Sequence, residues 1–170
     1  DFGIRPMQML LMGLGSCSGI DIVSILKKQK QTVDGFRISI DGEREEGKDA
    51  SGHTVKMDSS PETGGHDFGI RPMQMLLMGL GSCSGIDIIS ILKKQKQTVE
   101  GFRISIDGER EEGKEATKWK YIKIIFELKG PIEPEKAQRA CALSIEKYCS
   151  VAATLMGAGC KIEWETKIIS

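Results

Sequence analysis

The run Pro72-Met73-Gln74-Met75-Leu76-Leu77-Met78-Gly79-Leu80-Gly81-Ser82-Cys83-Ser84-Gly85-Ile86-Asp87 stays apolar to Leu92 and then turns basic at Lys93, Lys94 and Lys96. Pro72 lacks the N–H that a first-turn residue leaves unpaired, and the lysines fall at the negative end of the helix dipole, so the pattern predicts one long helix from Pro72 to Gln97. Apolar side chains surround it almost completely, which predicts burial on all sides. Its length approaches the ~20 apolar residues of a membrane span, but Gln74, Asp87 and the glycines within it favour a buried helix of a soluble domain. Gly79, Gly81 and Gly85 each cost about 1 kcal/mol in a helix interior. They are expected to permit close approach of another backbone, most simply a second copy of this helix.

Outward from the helix the period changes to two. Phe102, Ile104 and Ile106 alternate with Arg103, Ser105 and Asp107, the mark of a half-buried strand. Lys118–Leu128 reads as a second strand with a turn at Gly130-Pro131. Pro134 opens a second helix to about Met156, stopped by Gly157 and Gly159, and Cys160–Ile169 returns as a strand. Upstream, Ser51–His66 carries a short alternating run at Thr54–Met57 and a polar loop, while the mixed charges of Arg110–Lys114 suit a solvated turn. The succession gives an α+β domain, with the helices packed on curved antiparallel sheets.

Much of this sequence occurs twice. Asp1–Ala50 recurs as Asp67–Ala116, with only the swaps Val23/Ile89, Asp34/Glu100 and Asp49/Glu115, each preserving charge or apolar character. One partial copy beside a longer one is a duplicated fragment rather than a solenoid, which needs three or more short repeats. The reading is therefore a duplicated helix–strand fragment over 1–50 and a domain over 51–170.

In the 170-residue chain Lys plus Arg and Asp plus Glu both number 24. The weak summed field gives no reason to expect nucleic acid or an anionic membrane as partner. The cysteines are Cys17, Cys83, Cys141, Cys149 and Cys160, an odd set without the dense spacing of a secreted disulfide scaffold. No signal-peptide pattern opens the chain, so a reducing cytoplasm is expected. There is no C-x-x-C, and His53 and His66 have no ligand spacing, so no metal site is expected. Gly79-Leu80-Gly81-Ser82-Cys83-Ser84-Gly85 departs from a dinucleotide-binding loop in its third glycine and lacks a strand leading into it.

Cys83 stands among glycine and serine, which leave space for a substrate beside the sulfur. Cys149 lies on the stripe Ala142, Ile145, Cys149, Ala152, Met156, spaced for one buried helical face. Two apolar helices of one domain would turn such faces together and bring Cys83 and Cys149 toward one another, a meeting that spacing alone does not establish. Cys141 and Cys160 read as structural.

Taken together, Arg71-Pro72-Met73 with Leu76-Leu77, Gly81-Ser82-Cys83-Ser84-Gly85-Ile86-Asp87, Glu109-Arg110 and Ser144-Ile145-Glu146-Lys147-Tyr148-Cys149-Ser150-Val151 resemble the OsmC/Ohr family of osmotically inducible and organic-hydroperoxide-resistance proteins. The resemblance implies a dimer whose long helices pack centrally within curved sheets. It also implies a peroxidase for organic hydroperoxides without a bound cofactor, in which Cys83 attacks the peroxide, Cys149 resolves the sulfenic acid as a disulfide, and an external dithiol or thiol protein restores both. In the hydroperoxide-resistance branch a glutamate stands where this chain has Met73 and helps to orient a catalytic arginine from the N-terminal strands, whose place before Ser51 the duplicate block takes here. Arg71 is the nearest basic substitute in sequence. The Arg-Pro-Met pattern resembles a different branch, for which the alternative is a non-catalytic module that binds a small apolar ligand or only assembles.

Cys17 duplicates Cys83 without a resolving cysteine of its own. Helix Pro6–Gln31 would then pack on helix Pro72–Gln97 within the chain, or compete with it for the place beside Cys149. A third reading is that the repeat is engineered or artefactual.

Overall fold

The computed structural model describes residues 46–48, 54–63, 65–113 and 116–169. They fall into two compact units that divide between Gly79 and Leu80, within one continuous helix. Cys17, the helix expected at Pro6–Gln31 and the strand expected at Phe36–Ile40 lie outside the described residues.

In the first unit β1 (Glu46–Lys48) pairs antiparallel with β2 (Thr54–Lys56). Glu46-Gly47-Lys48 is a strand here, whereas the repeat's Glu112-Gly113 is loop. The same local sequence takes the conformation its surroundings pair, as expected where intrinsic preference is weak. Behind β2, Met57 bridges Ile70, and Met57 and Met75 are buried with Val55 and Ile70 packed against them. The Asp58 carboxylate accepts from the N–H groups of Ser59, His66 and Phe68 at 2.7, 2.9 and 3.1 Å, which ties the intervening loop to one side chain.

Helix α1 spans Pro72–Lys94 and begins at the proline, as expected. Gln74 accepts from the Arg71 N–H at 3.3 Å, the reciprocal half of a capping box. At the other end Lys96 takes the left-handed conformation (φ 58°), with bonds from Lys96 N–H to Lys93 and from Gln97 N–H to Leu92, both 3.0 Å. That is a Schellman termination with lysine in the place glycine usually fills.

The second unit holds β3 (Gly101–Arg110), β4 (Trp119–Lys129) and β5 (Lys161–Ile169) in the order β3-β4-β5. β3 and β4 are antiparallel, but β4 and β5 run parallel, so the sheet is mixed and the expectation of purely antiparallel sheets is corrected. The cause lies in the connection: the helical segment between β4 and β5 carries the chain back to its starting edge, as a parallel neighbour requires. Central β4 turns Ile122, Ile124, Phe126 and Leu128 into the core, all fully buried. They are joined by Leu80, Ile88 and Leu92 of α1.

Two glycines of α1 face the sheet. A Cβ on Gly81 would stand 3.0 Å from Ile106 Cδ1, and one on Gly85 2.9 Å from Ile104 Cδ1. Among the described residues, these two glycines let α1 sink onto the side chains of β3. Within the single chain α1 is not buried on all sides: Ile86 is 62% and Ile89 36% exposed, because β3 covers a different face.

Candidate active site

The second cysteine segment is not the single helix its apolar stripe predicts. Helix α2 (Pro134–Leu143) passes into a π-helical turn at Ser144–Tyr148, Cys149 is extended (φ −72°, ψ 103°), and a new helix α3 runs over Ser150–Gly157. The break is well satisfied. Cys149 N–H donates to Ser144 O at 2.8 Å, Ala153 N–H to Cys149 O at 3.0 Å, and Ala152 N–H to Cys149 Sγ at 3.4 Å, so the cysteine is the N-cap of α3. The register change buries Leu155 and leaves Met156 39% exposed, reversing the stripe's last member. π-turns recur where a helix is remodelled around a site.

Opening the helix there has a chemical consequence. The first N–H groups of α3 have no intrahelical partner, and those of Val151 and Ser150 are among the influences that lower the Cys83 thiol. Cys83 projects half-buried from α1, whose small neighbours let the two segments meet. Cys83 Sγ, Cys149 Sγ and a carboxylate oxygen of Asp87 all lie within 4.8 Å of one another. Both thiols are free. Asp87 is one turn beyond Cys83 on α1, and Ser144 Oγ donates to its Oδ2 at 3.4 Å and to the Ser84 carbonyl at 3.2 Å. Buried Ser84 in turn donates to Leu80 O at 2.8 Å, so the hydroxyls around the sulfurs are satisfied.

The two thiols shift one another in opposite directions. A hydrogen bond from the Cys149 thiol is the main influence that brings Cys83 down from 9.0 to about 6; burial opposes it, the N–H groups of Val151 and Ser150 assist, and the Asp87 charge opposes. Cys149 is pushed far up, first by giving that hydrogen bond and then by burial. These shifts favour a Cys83 thiolate beside a Cys149 thiol, near the N-terminal end of α3. Asp87 is itself raised by burial, with the Ser144 hydroxyl working against the shift.

Of the other residues singled out in the sequence, Arg71 is in the first unit, half-exposed, with its guanidinium 3.7 Å from the Asp67 carboxylate. Cys141 and Cys160 are buried, and burial raises both thiols. Sequence reasoning quoted Asp87 within its motif without giving it a part. The available signal was the one-turn spacing of Cys83 and Asp87, which puts both on one helical face. Ser144 had no comparable signal, because its position depends on the π-turn.

A mixed three-stranded sheet, a glycine-notched helix and two thiols joined across helices define a thiol-bearing α+β protein. The profile of the family described as OsmC-like protein matches residues 1–63 and again 64–165, and the chain belongs to that family. Protein YhfA of Escherichia coli (strain K12) is 40% identical over 111 residues, 64% of this chain and 78% of that protein. Among solved structures, a hypothetical protein from Aquifex aeolicus VF5 aligns at a TM-score of 0.59 with 35% identity, over 72% of this chain and 86% of its own. An organic hydroperoxide resistance protein OsmC from Legionella pneumophila aligns at 0.57 with 16% identity, over 71% and 86%, a likeness of fold.

Proposed function

We propose that the protein is a thiol-dependent peroxidase that reduces organic hydroperoxides through Cys83 and Cys149. The observation that carries this reading is the convergence of the two sulfurs, from segments far apart in sequence, to within 4.8 Å at the N-terminal end of α3. A thiolate so stabilised is the nucleophile such chemistry needs.

In the first step Cys83 Sγ attacks the terminal peroxide oxygen. The S–O bond forms, the O–O bond breaks, and the leaving alkoxide takes a proton to become the alcohol. In the second step Cys149 Sγ attacks the sulfur of the sulfenic acid: the S–S bond forms, and the hydroxyl leaves with the Cys149 proton as water. The peroxide has gained two electrons and the thiol pair has lost two. An external dithiol, by two exchanges, returns them. Loss of negative charge from Cys83 in the first step removes the main reason for the high pKa of Cys149, so the resolving thiol becomes easier to deprotonate when it is required.

The proposal extends to a cytoplasmic setting, where dithiol reductants are maintained, and to a homodimer as the working assembly. The name of the Legionella pneumophila protein, an organic hydroperoxide resistance protein, supports the substrate class. Membership of the OsmC-like family supports a redox role more generally.

The test is to treat reduced protein with one equivalent of an alkyl hydroperoxide and map disulfides by peptide mass spectrometry. We expect peroxide loss and a Cys83–Cys149 bridge that added dithiol removes. Unchanged peroxide consumption by Cys83→Ser would overturn the assignment. A second reading, a non-catalytic module for a small apolar ligand, is favoured by Met73 and by the exposed Ile86 and Ile89 of α1. It predicts that the peroxide persists and no bridge forms.

A further inference from the structure

The geometry points to a further property of the reduced protein: Cys83, Cys149 and Asp87 form a binding site for a zinc-class divalent cation. Nothing in the C-x-x-C or histidine spacing of the sequence announces it, because the donors come from two helices. This inference does not depend on peroxide turnover.

Three donor atoms, two sulfurs and one carboxylate oxygen, lie within 4.8 Å of one another. Two sulfurs bound tetrahedrally to one zinc at about 2.3 Å stand about 3.8 Å apart. That spacing falls within the 4.8 Å that bounds the observed cluster. The donors are also better held than a chance group of surface acids. Cys149 is 2% exposed and is fixed as the N-cap of α3, while Cys83 and Asp87 lie one turn apart on α1. Ser144 Oγ donates to Asp87 Oδ2, the kind of outer contact that orients a ligating carboxylate.

Ligand chemistry selects the ion. Two thiolates suit a borderline-soft cation such as zinc over magnesium or calcium, which prefer all-oxygen sites. Three protein donors leave a fourth tetrahedral position to solvent on the side where Cys83 and Asp87 are half-exposed, the form of an open zinc site. Binding releases the Cys149 proton to solvent, and with one lone pair of each sulfur on the ion, the bound metal caps both thiolates. Zinc therefore keeps the reduced pair from electrophiles until a chelator or a stronger site removes it.

Cobalt(II) reports the ligands directly. Reduced full-length protein, titrated anaerobically with cobalt chloride, should show the near-ultraviolet thiolate-to-cobalt charge-transfer band, saturating at one ion per chain at this site. Cys149→Ser should lose about half of the band, and the double variant Cys83→Ser/Cys149→Ser all of it. Asp87→Asn keeps both sulfurs and should retain the band. Loss of an outer contact alone costs roughly 10–100-fold in metal affinity, so loss of this ligand should weaken cobalt binding at least about tenfold. Zinc should displace cobalt and abolish iodoacetamide labelling of Cys83, and a chelator should restore it. A band that survives the double variant, an absent band, or Asp87→Asn binding with unchanged affinity would each overturn the site. Protein that binds cobalt through both sulfurs yet leaves alkyl hydroperoxides intact would defeat the peroxidase reading and sustain this one.

Discussion

Cys83 owes its acidity mainly to a neighbour that is itself a thiol, and this makes the contribution measurable. Only the thiolate alkylates, so in metal-free buffer the iodoacetamide rate at Cys83 should fall as the pH drops through about 6 and level off above it. Cys149→Ala removes the largest favourable contribution while leaving the N–H groups of Val151 and Ser150, so the midpoint should move up toward the ordinary 9.0. Rate at a single pH is the poorer readout. A full return to 9.0 would cut the thiolate at neutral pH by roughly two orders of magnitude, but intrinsic nucleophilicity would rise by about one order over the same shift. The midpoint carries no such compensation, and a Cys149→Ala profile that coincides with wild type would show that the thiol pair does not set the acidity. Asp87 acts in the opposite sense, since its charge raises Cys83. An uncharged residue there should lower the midpoint.

The secondary elements show where a local pattern determines structure and where it does not. Pro72, the lysines closing α1, and the alternation of Phe102, Ile104 and Ile106 gave their elements almost to the residue, because each signal is local: a missing N–H, a dipole, a pleat. The turn at Gly130 was legible for the same reason. Gly130 has φ 126°, and a Cβ there would lie 2.6 Å from the Thr98 carbonyl oxygen, at the point where β4 ends and Glu100 N–H meets Lys129 O at 2.8 Å. Gly130→Ala should therefore destabilise the fold by on the order of 2 kcal/mol, seen as a lower urea midpoint with an unchanged slope. An unchanged midpoint would mean that the turn relaxes without cost. The break at Cys149 was illegible, because Ala142, Ile145, Cys149 and Ala152 hold helical spacing straight through it and every one of them except half-buried Ala142 is buried. Apolar periodicity records which residues are inside but not whether the helix between them is continuous. Here the discontinuity places the N-terminal end of α3 at the cysteine pair, so the candidate cysteines were legible and the helix end beside them was not.

The duplication poses a question about the entire chain, since Gly15-Ser16-Cys17-Ser18-Gly19-Ile20-Asp21 repeats the residues around Cys83 without change. In the described fold the place beside Cys149 belongs to Cys83, and more than one contact holds its segment there. Gly81 and Gly85 are seated on Ile106 and Ile104 of β3, β3 is paired along its length with β4, and Ser144 reaches the backbone of Ser84 and the carboxylate of Asp87. Exchange of one copy for the other would have to undo the β3–β4 ladder as well as the helix contact, because the repeated sequence runs through both α1 and β3. Burial of Ile122, Ile124, Phe126 and Leu128 opposes that opening, at about 1.5–3 kcal/mol for each large apolar side chain returned to water. Cys17 is thus expected to remain without access to Cys149. In Cys83→Ser treated with an alkyl hydroperoxide, peptide mapping should find Cys149 still reduced and no Cys17–Cys149 peptide, while Cys17→Ser should form the Cys83–Cys149 bridge as readily as the unaltered chain. Recovery of a Cys17–Cys149 peptide from Cys83→Ser would show that the two copies trade places on the timescale of oxidation, and the chain would then carry two interchangeable nucleophiles for one resolving thiol.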